Sequence, residues 1–350
     1  MTPPPPLVSI VIPTFNRGDL TRACLDGLAR TAPQAEVIVV DNGSTDGTRE
    51  WLVAEQEAGR LRCILNETNL GFGKACNKAA ALARGTFVLL LNNDIVPLPG
   101  WLDALLGEMA DPAVGVVGAR LLYPDGTIQH AGADFTILGE TEHVFRGAAA
   151  DDPRVTQSRD LPCVTGAALL VRRKLWEKLG GLDEGFFMYV EDVDLCIRAW
   201  HMGARVRYCA DSVLIHYESQ SSPDREWCVA HLHDSWRRFN ARWLGRMPEA
   251  VLAITANPDA LGPRRRLMAL ADATELAADP ALLAAWGEAF TGKDPITLAI
   301  LDTAPAGEVS PALWQAVSAA GLGNEGQADL VAVSWHGDVD ACPRRCRAAW

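Results

Sequence analysis

The sequence predicts an α/β fold built on a mostly parallel sheet flanked by helices. Two observations carry that reading. Short apolar runs end abruptly in polar clusters: Val8–Ile12 before Pro13, Glu36–Val40 before Asp41, Phe87–Leu91 before Asn92-Asn93-Asp94. Helix-length segments separate these runs, and strand–helix alternation at short spacing is the pattern of βαβ units. Phe87–Leu91 is apolar at every position, as a strand buried on both faces must be.

Leu7–Ile12 is the first expected strand, and Pro13–Arg17 is a loop. Asp19 or Thr21 can start a helix that carries Leu20, Cys24, Leu25 and Leu28. Glu36–Val40 is the second strand, followed by the polar loop Asp41–Gly47 and a helix with Trp51 and Leu52. Arg62–Leu65 is the third. After it, Gly71-Phe72-Gly73-Lys74 opens a helix whose small residues (Ala75, Cys76, Ala79, Ala80) let it lie close to the sheet. Phe87–Leu91 is the fourth strand, then a helix over Trp101–Met109 and a strand over Val114–Val117. From about Tyr123 to Asp160 periodicity is poor, and an irregular lobe is expected. Val164–Val171 reads as a strand, Arg172–Leu179 as a helix stopped by Gly180-Gly181, and Glu191 to about Met202 as a helix with one apolar face. Arg205–Cys209 and Val213–Ile215 read as two short strands leading to His216.

Trp227–Met247 reads as a helix with Leu232, Trp236, Phe239 and Trp243 on one side and Arg237, Arg238, Arg242 and Arg246 around the rest. Such a stripe packs on its own domain or lies on a membrane surface. The sequence leaves both open, and with the second a peripheral contact at the cytoplasmic face of the inner membrane. Past Pro248 the composition turns to Ala, Leu, Pro and Gly. Residues 265–290 read as one or two helices, 295–301 and 329–333 as strands, and 311–320 as a helix. The expected organisation is a domain over residues 1–247, a helical segment over 248–292 and a small βαβ-like appendage over 293–350.

Composition excludes some classes of function. The chain of 350 residues has 44 acidic and 32 basic side chains, a net charge of −12, which speaks against a general nucleic-acid binder. No stretch approaches the ~20 apolar residues that span a bilayer. The first residues lack the charged and apolar regions of a secretory signal. Nine cysteines, odd in number and scattered, suggest reduced thiols and a cytoplasmic location. Cys342 and Cys346 with His336 fit no standard zinc spacing.

The strand-end clusters are the candidate site. In open α/β sheets, ligands bind beyond the carboxyl ends of the strands. Pro13–Arg17, Asp41–Asp46 and Asn92–Asp94 therefore converge on one crevice. Asp94 there could hold a divalent cation against a diphosphate, although Asn and Asp are also common turn residues. Lys74, beside two glycines at a helix start, suits a phosphate. Glu191-Asp192 follows the aromatic run Phe186–Tyr189. It could be a dipole partner in a first helical turn or a general base in an aromatic-walled pocket. His216 is either structural or a neutral ligand beside Asp94.

Taken in order, Val8–Arg17, Val39–Thr48, Asn69–Gly73, Asn92–Asp94, Gly166-Ala167 and Glu191–Leu195 resemble family 2 glycosyltransferases over residues ~7–245. Their chemistry also resembles that of bacterial rhamnosyl- and galactofuranosyl-type transferases. The resemblance implies a GT-A fold and an inverting transfer of a sugar from a nucleotide-diphosphate donor to a glycan or lipid-linked acceptor, in cell-surface polysaccharide synthesis. It also implies site roles. Asp41 would meet the base, and Pro13, Thr14, Asn16, Asn42, Ser44, Lys74 and Asn93 would line the nucleotide-sugar site. Asp94, with His216, would hold Mn²⁺ or Mg²⁺. Asp192 would be the base, with Gly166 and Glu191 on the acceptor side. Asn92 departs from the family, which often has an aspartate there. Two alternatives are a nucleotidyltransferase, for which the first loop lacks a glycine- and basic-rich triphosphate motif, and a non-catalytic binding protein or scaffold on the same fold.

Overall fold

The computed structural model describes residues 6–135, 140–218, 225–243, 246–255, 267–279, 281–289, 296–302, 310–320 and 329–334. The chain divides into two compact units, Met1–Thr255 and Ala256–Trp350.

The first unit opens with β1 (Val8–Thr14), α1 (Gly18–Thr31), β2 (Glu36–Asp41), α2 (Thr48–Glu57), β3 (Arg62–Leu65), α3 (Phe72–Ala80) and β4 (Phe87–Leu91). There follow β5 (Ile95–Pro97), α4 (Trp101–Glu108), β6 (Val114–Leu122), β7 (Ile128–His130), β8 (Ala133–Phe135), β9 (Thr141–His143) and β10 (Arg159–Asp160). It closes with β11 (Ala168–Arg172), α5 (Arg173–Leu179), α6 (Glu191–His201), β12 (Arg205–His216), α7 (Arg225–Trp243) and α8 (Glu249–Thr255). The main sheet has the order β10-β12-β6-β11-β4-β1-β2-β3.

β4-β1-β2-β3 is parallel, the expected nucleotide-binding half. β4 sits inside it with Val88–Leu91 fully buried, and each such side chain contributes ~1.5–3 kcal/mol by leaving water. The other half departs from the expectation. β11 runs antiparallel to both β4 and β6, which brings its first residues beside the last residues of β4. The expected pair of strands over 205–215 is one strand, β12, with an irregularity between Cys209 and Val213. The irregular lobe contains four short strands, β7 to β10.

The stripe on α7 is used for packing. Phe239 is fully buried and stacks on Phe135 at 5.9 Å, Trp236 lies against Phe239, and Trp243 stacks on His201 at 4.9 Å. Arg238 and Arg242 pair with Asp183, and Arg242 also with Asp194. Among the described residues no helix is long and apolar enough to cross a membrane.

The second unit holds a three-stranded parallel sheet, β13 (Leu267–Asp272), β14 (Ile296–Asp302) and β15 (Asp329–Ser334), in that order. Its helices are α9 (Ala273–Ala278), α10 (Ala281–Ala289) and α11 (Pro311–Ala319). Residues 267–272, expected to be helical, are a strand. Leu, Met and Ala are good helix formers, but intrinsic propensity is routinely overridden by tertiary context, here the parallel pairing with β14. Cys342, Cys346 and His336 lie outside the described residues.

Candidate active site

Register explains why distant residues meet. Asn92-Asn93-Asp94 joins β4 to β5, and β5 pairs antiparallel with the end of β12, setting Ile95 opposite His216. The Tyr217 amide continues the ladder to the Asp94 carbonyl at 3.1 Å. Asp94 and His216 are therefore neighbours, with Nε2 3.0 Å from Asp94 Oδ1. That contact lacks hydrogen-bond geometry, and Asp94 Oδ1 is buried with no hydrogen-bond partner. The other ring nitrogen, Nδ1, lies 2.6 Å from Gln129 Oε1, and Asn92 Nδ2 lies 3.3 Å from Nε2.

The donor set fits a divalent cation. A buried carboxylate oxygen with no partner and an imidazole nitrogen facing it are the two kinds of atom such an ion takes. They make two ligands, and among the described residues no group of three His, Cys, Asp or Glu side chains is gathered. Asn93 serves differently: its amide nitrogen binds Thr14 Oγ1 at 3.1 Å and Thr21 Oγ1 at 3.0 Å. It ties the end of β4 to β1 and α1.

The second group of acids, Glu191 and Asp192, opens α6 and is met by the residues that lead into the antiparallel strand β11. The Asn92 amide donates to the Ala167 carbonyl at 2.9 Å, which brings Gly166 to the same sheet edge. The Gly166 amide donates to Asp192 Oδ2 at 2.6 Å, and the Val193 amide to Oδ1 at 2.8 Å. A Cβ at Gly166 would lie 3.3 Å from Asp192 Cβ, so the residue's smallness sets the approach. Burial raises Asp192 above its ordinary value. Burial, then the Asp192 charge, pushes Glu191 up to about 8, and Glu191 Oε2 has no hydrogen-bond partner. The residues just before, Tyr189 and Val190, both have φ 70°. That conformation costs ~1–3 kcal/mol for a non-glycine residue and gathers at functional sites.

One cleft of about 430 Å³ spans both groups, lined by Asn92, Asn93, Asp94 and His216 at one end and by Gly166, Glu191 and Asp192 at the other. Pro13, Thr14, Phe15 and Asn42 also face it. Four residues singled out from the sequence do not line it. Asp41 is fully buried, its carboxylate accepting from the Ser44 amide at 3.1 Å and from Arg49 at 3.3 Å. Ser44 and Asn16 stitch two loops together, Asn16 N–H to Ser44 Oγ at 2.7 Å and Thr45 N–H to Asn16 Oδ1 at 2.9 Å. Lys74 is exposed on α3. The first amide of that helix, at Phe72, is taken by the Phe187 carbonyl at 2.9 Å.

Sequence reasoning missed Gln129 and His143, which line the cleft, and His130, buried beside them with ring centroids 4.5 Å from His143. Burial lowers the pKa of both histidines, with a smaller mutual repulsion acting on His130. The histidines in an otherwise aperiodic segment were the available signal.

The architecture has counterparts among solved structures. A mannosyltransferase, PcManGT from Pyrobaculum calidifontis in complex with GDP-Man and Mn²⁺, superposes with a TM-score of 0.54 at 22% identity, over 91% of this chain and 81% of that one. GalNAc-T7 with UDP, GalNAc and Mn²⁺ does so with a TM-score of 0.52 at 16% identity, over 62% and 44%. The fold is GT-A. Residues 9–180 match the sequence profile described as Glycosyl transferase family 2, so that stretch of the chain is similar to the family.

Among curated relatives, the O-antigen biosynthesis protein RfbC of Myxococcus xanthus is 38% identical over 250 residues, 69% of this chain and 19% of that protein. An N-acetylglucosaminyl-diphospho-decaprenol L-rhamnosyltransferase of Mycobacterium tuberculosis is 28% identical over 273 residues, 68% of this chain and 88% of that protein. An uncharacterised protein, y4gI, of Sinorhizobium fredii is 35% identical over 226 residues. The chain covers about a fifth of RfbC and a quarter of y4gI.

Proposed function

We propose that the chain is an inverting glycosyltransferase. It would move a sugar from a nucleotide-diphosphate donor to a hydroxyl of a glycan or lipid-linked acceptor, in the synthesis of cell-surface polysaccharide. The observation that carries the reading is the single cleft with a paired-acid pocket at one end and the Asp94–His216 contact at the other. The names of the Myxococcus and Mycobacterium relatives support the acceptor class.

A sugar hydroxyl is a weak nucleophile near neutral pH. Asp192 takes its proton as the oxygen attacks the anomeric carbon, while the bond from that carbon to the diphosphate oxygen breaks. Attack from the face opposite the leaving group inverts the configuration. The Gly166 and Val193 amides hold the base in place. Glu191, carrying its proton at neutral pH, keeps a second negative charge away from Asp192. Pro13, Thr14 and Asn42 flank the nucleoside, supported from behind by Asp41, Asn16 and Ser44. Mn²⁺ or Mg²⁺ bound by Asp94 and His216 would offset the charge that develops on the leaving diphosphate.

The test is a thermal-shift screen of UDP-, dTDP- and GDP-sugars with and without Mn²⁺, followed by NMR of the product's anomeric configuration. A donor that raises the melting temperature more with the metal, and a product of opposite configuration, are expected. The reading fails if no nucleotide sugar shifts the melting temperature, or if the transferred sugar retains its configuration.

A further inference from the structure

Gln129 belongs to the lobe that sequence reasoning left irregular. It is 1% exposed, on β7, which pairs antiparallel with β6. Its side-chain oxygen faces His216 Nδ1 at 2.6 Å, and its backbone carbonyl faces His143 Nδ1 at 3.1 Å. Both partners are acceptors, so each ring must carry its proton on Nδ1 to use the contact. For His216 this leaves the Nε2 lone pair to accept from the Asn92 amide at 3.3 Å, with Asp94 Oδ1 3.0 Å from the same nitrogen. A proton on Nε2 would instead confront the Asn92 N–H group, and would leave Nδ1 and Gln129 Oε1 with two lone pairs at 2.6 Å. The Asn92 contact and the Gln129 contact therefore select the same tautomer independently.

We propose that Gln129 is a positioning residue: it holds His216 in the Nδ1–H form and so presents Nε2, together with Asp94, as a preformed half-site for a divalent cation. A ligating histidine generally needs such a partner on its other nitrogen, and its loss typically costs 10–100-fold in metal affinity. The inference rests on the metal assignment in the preceding subsection and adds the residue that makes His216 competent for it. The two imidazoles differ in one useful way. His216 depends on the side chain of Gln129, whereas His143 depends on its main chain, which substitution leaves in place.

Two measurements test it. Long-range ¹H–¹⁵N imidazole spectra of the full wild-type chain, without metal, should show His216 protonated on Nδ1. A proton on Nε2 overturns the proposal. The second measurement is titration calorimetry of Mn²⁺ into the chain with UDP present. Gln129→Met keeps length and volume but removes the acceptor, and should weaken Mn²⁺ about 10–100-fold while His143 keeps its Nδ1–H spectrum. Gln129→Glu, which keeps an acceptor at Nδ1, should restore most of the affinity. Equal Mn²⁺ affinity in wild type and Gln129→Met sinks the role of Gln129 and leaves the metal site standing. A wild type that binds no Mn²⁺ sinks both. Should Gln129→Met fail to fold, the wild-type spectrum alone decides.

Discussion

The two ends of the cleft are built on opposite principles. At the Asp94 end, a rigid strand delivers one acid to a polar surround in which Asn92, Asn93, Gln129 and His216 are all bonded to one another or to the sheet. Two buried atoms there have no hydrogen-bond partner, Gln129 Nε2 and the Asp94 carboxylate oxygen that lies beside an imidazole nitrogen. At the Asp192 end, two acids stand side by side at the start of α6, Glu191 buried and Asp192 half-buried, behind two residues in the left-handed region. A negative charge is stabilised at the first end by what can bind it. At the second, negative charge is resisted by burial, and a proton is retained. One end is suited to meeting a cation and the other to exchanging a proton, and the distinction follows from solvation as much as from residue type.

The contrast can be broken by substitutions at either end. Asp192→Asn should have the largest effect, a loss of ~10²–10⁴ in kcat with donor affinity by calorimetry unchanged. Near-normal turnover would remove the base assignment. Asp94→Ala should lower kcat by ~10²–10³ and, unlike the first variant, abolish the metal-dependent part of nucleotide binding. If metal-assisted binding is unchanged, the two ends are not distinct in the way described.

Glu191→Gln sharpens the comparison through pH. The folded-state pKa of Glu191 is raised from its ordinary 4.5 to about 8, so the folded state holds a proton that the unfolded chain releases. Its contribution is complete below the unfolded value and is lost as pH rises through the folded one. The melting temperature of Glu191→Gln minus that of wild type should therefore grow between pH 4.5 and about 8 and level off above. A flat difference across that range would mean Glu191 is not held protonated. The smallest effect is expected at Gly71, where φ is +86° and a Cβ would run into the Phe187 carbonyl oxygen. Gly71→Ala should cost ~1–3 kcal/mol of stability, measured by denaturant unfolding, while leaving the metal-dependent part of nucleotide binding intact.

What the sequence disclosed follows from locality. Asp94 could be found because it ends an all-apolar pentapeptide, and Asp192 because an aromatic run precedes it. The direction of β11 was not legible, since an apolar run buried on both faces reads the same in parallel and antiparallel sheets. Yet that direction is what brings Gly166 to Asp192. β5 and β7 have three residues each, too few to show a period, so the pairing of Ile95 with His216 and the position of Gln129 were hidden. Asp41 and Lys74 were identified by type and place. Their surroundings, the Arg49 pairing and the Phe187 carbonyl on α3, depend on loops that fold back from elsewhere.

The hydrogen bond from the Phe72 amide to the Phe187 carbonyl links the helix on one wall of the cleft to the loop that leads into Glu191-Asp192 on the other. The two walls are thereby latched as a single jaw, with no free play at that corner. Lengthening the segment between Asp183 and Phe187 by one residue should break that hydrogen bond, and a lowered melting temperature would report the loss.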